Sequence, residues 1–196
     1  MRGAAGTTGS IIAPMSFSTF FVLLHNVESD DLLHAVSHVA DPGRPTLADE
    51  LMVAPPPEVG IGMVGDWAAI FMPNRFASLL MEDRQLRRMS RRTRVFAAIM
   101  QTEPLLAGMY MASGGVVRRR VVFRNGLPVY EVGNPLPGEE ECEIPDESLV
   151  IELLEAATGI KWRDMERAML IRILPHAGCT NAEVIEAITL AVEGDE

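Results

Sequence analysis

From Phe17 to Leu24 the chain alternates, with Phe17, Thr19, Phe21 and Leu23 on one side and Ser16, Ser18 and Phe20 on the other. A period of two predicts a strand at about 17–24. In ESDDLLHAVSHVAD the period lengthens: Leu32, Leu33, Val36 and Val39 form a helical stripe. Ser29 is placed to cap this helix, acids fill its first turn, and Asp41-Pro42-Gly43 ends it. Residues 41–58 carry five prolines and predict a connecting loop.

Two strands follow at 59–64 and 67–72, joined by a Gly65-Asp66 turn. The second lies in VGDWAAIFMPNRF. Trp67, Ala69 and Phe71 alternate there with Asp66, Ala68 and Ile70, so both faces are apolar and the strand is expected to be buried on both. Asp66 is expected to hold local backbone. Pro73-Asn74 predicts a turn, with Asn74 as cap of a helix from Phe76 to Met89.

Beyond it, Arg94 to Gln101, LLAGMYMAS, VVRRRVVFR and LPVYEVG read as strands, and Gly114-Gly115 and Asn125-Gly126 are hairpin turns. DESLVIELLEAATG predicts a helix stopped by Gly159. A last helix starts at Thr180 or Asn181, with Glu183 placed for a capping box. Strands grouped in the middle and helices toward the ends predict an α+β fold, an antiparallel meander packed with helices from the N- and C-terminal parts. Residues 1–13 read as a flexible leader and 14–196 as a single domain.

Composition supports a packed domain: 48% of the 196 residues are hydrophobic and 22% charged. The net charge of −10 is uneven. Residues 139–196, an acidic helical third, hold 15 acids against 4 bases, and residues 1–138 hold 12 against 13. This balance argues against nucleic acid as a partner. The apolar run IIAPMSFSTFFVLL is too short and interrupted to span a membrane. Cys142 and Cys179 form no CxxC pattern, which fits a reduced, cytoplasmic setting.

Candidate chemistry is sparse. Arg84, Arg87, Arg88 and Arg91 share a helical face that suits an acidic protein, an anion, or the chain's own acidic third. Arg118, Arg119 and Arg120 lie on a predicted strand, so Arg119 should point away from the other two, near a sheet edge or groove. His34 and His38 are spaced i, i+4, which offers two imidazoles to a metal without a third ligand at a diagnostic interval; the expectation is no metal. His176 and Cys179 lie close in sequence but lack an activating third group. No catalytic constellation or cofactor motif is expected.

The segments GDWAAIFMPNRF, SRRTRVFAAIMQ and SLVIELLEAATGIKW together resemble an uncharacterised bacterial family. Its members tend to show a Gly-Asp-Trp strand opening, a Pro-Asn-Gly-Phe turn, a Ser-x-x-Thr-Arg strand entry and a late helix ending in Leu-Thr-Gly. The matching positions are Gly65, Asp66, Trp67, Pro73, Asn74, Phe76, Ser90, Thr93, Arg94, Thr158 and Gly159. Met72 and Arg75 stand where members carry an acid and a glycine. The resemblance spans about 17–165 and implies a fold but no activity. Small bacterial domains that look related include immunity-type proteins that bind a toxin, an analogy of fold alone.

The expectation is a non-enzymatic, intracellular protein-binding or accessory domain, immunity-like in its narrowest form. The alternative is a small-ligand domain or enzyme in which Arg84, Arg88 or Arg119 holds an anionic ligand.

Overall fold

Strand β1 (Ser18–His25) lies between β4 (Trp67–Met72) and β5 (Val95–Thr102), antiparallel to both. In the computed structural model, which describes residues 18–53, 59–72, 84–102, 105–137, 139 and 147–194, these three strands form the centre of one sheet. The others are β2 (Ala40–Leu47), β3 (Val59–Val64), β6 (Leu105–Ser113), β7 (Val116–Arg124), β8 (Leu127–Gly133) and β9 (Met169–Pro175). The order is β2-β9-β3-β4-β1-β5-β6-β7-β8, and every pairing is antiparallel.

Alternation splits the apolar residues of the central strands between two cores. Phe20, Val22, Leu24, Ile70, Ala97 and Tyr110 face one, covered by α1 (Ser29–Val36), α3 (Arg84–Met89) and α6 (Asn181–Glu193). Phe21, Leu23, Trp67, Phe71, Phe96 and Met109 face the other, covered by α2 (Ala48–Val53), α4 (Glu147–Thr158) and α5 (Trp162–Glu166). The fold is thus α+β, with an antiparallel sheet between two helical layers. All six residues of β4 are buried, as its two apolar faces require.

Several expectations change. The 41–58 loop is in fact edge strand β2 followed by α2, with residues 54–58 outside the described residues. Proline removes a ladder donor, which an edge strand tolerates. The register of β2 against β9 shifts between Pro42 and Pro45. Helix α1 ends at Val36, because the chain turns through residues 37–39 to enter β2. Only 84–89 of the helix expected at 76–89 is described, and Pro73, Asn74 and Phe76 lie outside the described residues.

Helix α5 and strand β9 had no counterpart in the sequence reading. β9 enters between β2 and β3, and its approach explains Gly62: an added Cβ would stand 2.5 Å from the Met169 carbonyl oxygen. The expected capping box of the last helix is present, with Thr180 and Glu183 each bonding the other's backbone N–H.

Each sheet edge carries proline and a register shift, Pro42 and Pro45 in β2 and Pro128 in β8, but the two differ in exposure. All seven residues of β8 are exposed, including Leu127, Val129, Tyr130 and Val132.

Candidate functional site

The arginines of α3 meet the acidic C-terminal third directly. Arg88 donates from Nε and Nη2 to Glu193 Oε2 at 2.9 and 2.7 Å, and from Nη1 to Glu186 Oε1 at 2.8 Å. Arg91 donates to Glu193 Oε1 at 2.9 Å. These bonds strap α3 to α6. They raise the Arg88 pKa above its ordinary value and hold the Glu193 carboxyl below its own, chiefly through the Arg88 bond. Arg84 and Arg87 are exposed at the rim of the same groove. Two sequence candidates on this helix and the turn after it, Arg88 and Arg91, thus share Glu193 as a partner from within the chain.

The β7 arginines depart from simple alternation. The register of β6 against β7 shifts between Met111 and Ala112, opposite the stretch Val117 to Arg119. A bulge of this kind turns two successive side chains toward one face. Arg118 consequently lines a cavity with Met111 and Leu136 on the α4 side, the side on which Val121, two residues after Arg119, packs. Arg120 points the other way and lies 4.1 Å over the Tyr130 ring.

Arg119 is also not at a groove: it is 2% exposed. Its Nε donates to both carboxylate oxygens of Glu139 at 2.9 and 3.0 Å, Nη2 reaches Glu139 and Glu131, and Nη1 donates to the Gly133 carbonyl at 2.8 Å. Burial opposes its charge, but the bonds to Glu139 and Glu131 outweigh that penalty and its pKa is raised. Gly133 is required here. At φ +83°, an added Cβ would sit 2.1 Å from the Arg118 carbonyl oxygen.

A different cluster forms at the end of the sheet where β1 leaves and β4 and β5 begin. The His25 ring meets Trp67 edge-on at 4.8 Å, and the Arg94 guanidinium lies 5.3 Å from the Trp67 ring centroid. Thr93 Oγ1 donates to the His25 carbonyl, Asn26 N–H donates to the Asp66 carbonyl at 2.9 Å, and Gly115 N–H donates to the Ser90 carbonyl at 3.0 Å. Gly-Asp-Trp and Ser-x-x-Thr-Arg, separate in sequence, therefore build one corner. Asp66 serves it through its backbone carbonyl.

Two cavities open on this corner and share Arg94 and Ser113. One, of about 520 Å³, is lined by His25, Asp31, Arg91 and Arg92 together with apolar residues such as Leu32 and Val192. The other, of about 330 Å³, is lined mainly by apolar residues under α4. Sequence reasoning treated Trp67 as core, and it is 5% exposed. Its contact with Arg94 and the place of Arg118 in the same cavity lining were missed, although the Ser-x-x-Thr-Arg stretch includes Arg94.

The remaining candidates stay apart. His34 lies in α1, while His38 lies beyond its end, and both are exposed. His176 Nε2 stands 3.3 Å from Asp41 Oδ1, and Cys179 N–H donates to the His176 carbonyl. Among the described residues no three His, Cys, Asp or Glu side chains converge as a metal site. Cys142 lies outside them. Comparisons with protein-family models, curated proteins and solved structures find no match.

Proposed function

We propose that this protein is a binding module whose partner is another protein, docked along β8. The observation that supports this reading is the exposed apolar row along edge strand β8. An open edge offers unpaired backbone donors and acceptors, and folded proteins commonly blunt it with proline, charge or a bulge. Both edges carry such devices, Pro42, Pro45 and a register shift in β2 and Pro128 with a register shift at Val129 in β8, but only β8 is exposed along its whole length. β8 presents Leu127, Val129, Tyr130 and Val132 to solvent at exposures of 41 to 68%.

An extended segment of the partner would add a tenth strand, with main-chain bonds supplying affinity and alternate side chains meeting the apolar positions. Arg118 and Arg124 on neighbouring β7 are exposed, and Glu131 is engaged by Arg119. The complementary segment is therefore apolar at its centre and acidic at its flanks. No helix among the described residues is long and apolar enough to cross a membrane, and a cytoplasmic setting is part of the proposal. Its narrowest form is an immunity-type factor, for which the partner would be a toxin.

The test is native mass spectrometry of protein gently isolated from its own cells, for wild type and for Val129→Lys/Val132→Lys. A second protein in fixed stoichiometry, lost from the folded variant, is the expected result. Isolation as a monomer or only as a homo-oligomer overturns the reading, as does a complex untouched by the β8 substitutions.

A further inference from the structure

The chain neutralises several of its arginines internally. Arg88, Arg91 and Arg119 contact Glu193, Glu186, Glu139 and Glu131, and Arg163 lies beside Asp164. Arg94 and Arg118, which meet at one cavity, are held differently. Arg94 rests on the Trp67 ring, and Arg118 donates from Nε to Ser113 Oγ at 3.2 Å. An aromatic face and a hydroxyl fix where a guanidinium sits without cancelling its charge.

Both arginines line the cavity of about 330 Å³ beneath α4, and among the described residues its lining contains no acid. The rest of that lining is largely apolar. Trp67, Phe96, Met111 and Leu136 supply bulk, and Ala156 and Ala157 in the last turn of α4 leave the room. At the end of α4, Thr158 Oγ1 donates to the Leu154 carbonyl and Gly159 N–H to that of Glu155. An apolar slot at the small end of the range for ligand pockets, with a few polar groups to one side, orients a molecule having one charged end.

We infer that this slot binds a single-chain anionic amphiphile, with its apolar body between the β5–β6 surface and the alanines of α4 and its oxyanion head on Arg94 and Arg118. The head is a carboxylate or a phosphate, since a guanidinium fork matches either. The shared Arg94 and Ser113 place the head where the slot meets the larger, open cleft, so water continues to reach it. Arg118 also stands beside the end of β8, but binding in the slot does not depend on docking there.

Isothermal titration with decanoate, monodecyl phosphate, decanol and acetate, each below its aggregation threshold, tests the inference. Saturable one-to-one binding of at least one decyl anion is expected, with decanol about tenfold weaker or worse and acetate not measurable, because a charge-assisted contact and the apolar body each contribute. The ratio of decanoate to decyl phosphate identifies the head. Arg118→Gln should weaken the preferred anion by about tenfold while leaving decanol unchanged. Ala156→Leu, at an exposed helical position, should fill the slot and weaken the anion and decanol together. Binding of neither anion overturns the inference, as does an anion no tighter than decanol, or wild-type affinity in both folded variants.

Discussion

Arg119 and Glu139, twenty residues apart, face each other almost out of reach of water, with the guanidinium Nε 2.9 and 3.0 Å from the two carboxylate oxygens. Such a pair adds little over a well-packed apolar pair, but removing one member strands the other. Glu139→Gln is expected to cost about 3 kcal/mol. Arg119→Met/Glu139→Leu should restore most of that loss. Urea denaturation of the three proteins decides it. A Glu139→Gln variant within about 0.5 kcal/mol of wild type would show that Glu131 alone suffices.

The α3–α6 strap predicts a pH dependence. The bonds from Arg88, and then the charge of Arg91, hold Glu193 below its ordinary pKa of 4.5. A carboxyl lowered in the folded state contributes stability that is complete above its unfolded value and lost as the pH falls through the folded value. Stability should therefore decline below about pH 4.5, and Glu193→Gln should flatten that decline. It will not abolish it, because Thr180 lowers Glu183 in the same direction. Denaturation midpoints measured from about pH 6 to pH 3 check this; identical slopes in both proteins would exclude Glu193 as a source.

At Phe21, the ring is fully buried and packs against Phe71, Phe96 and Trp162 at centroid distances of 5.6, 6.3 and 6.2 Å. It joins β1, β4, β5 and α5. Phe21→Ala removes that junction and leaves a cavity, for an expected loss of about 3–5 kcal/mol in equilibrium unfolding. A loss below about 1 kcal/mol would mean that the neighbouring side chains collapse into the space.

The capping box at the start of α6 gives a smaller, local effect. Thr180→Ala removes the hydroxyl that accepts from Glu183 N–H and should cost about 1 kcal/mol. Hydrogen exchange should rise first at the amides of the first turn, Ala182 to Val184. Unchanged exchange there would contradict the assignment.

Local signals accounted for much of the sheet. Gly65-Asp66, Gly114-Gly115 and Asn125-Gly126 each force a tight reversal, so the strands beside them were legible to the residue. β2 was obscured because its prolines signal a loop in a central strand but are tolerated at an edge. β9 was obscured because its partners, β2 and β3, are remote in sequence and no turn announces it. The arginines on β7 misled for a related reason: alternation fixes side-chain direction only until a bulge interrupts it. The Trp67 corner is built from His25, Trp67, Arg94 and Ser113, four positions that only pairing across the sheet brings together.

The position of β9 also sets an order on assembly during synthesis. β1 and β3 to β8 find all their other strand partners among one another, so apart from β9 the strand pairing of that block can be completed once Gly133 has emerged. β2 pairs only with β9, and must wait from Leu47 until Met169 is made. Throughout that interval it is a strand without a neighbour, the condition that invites pairing with another nascent chain. Pro42 and Pro45 deny such an intruder part of the ladder, so the irregularity of this strand guards it until its own partner arrives.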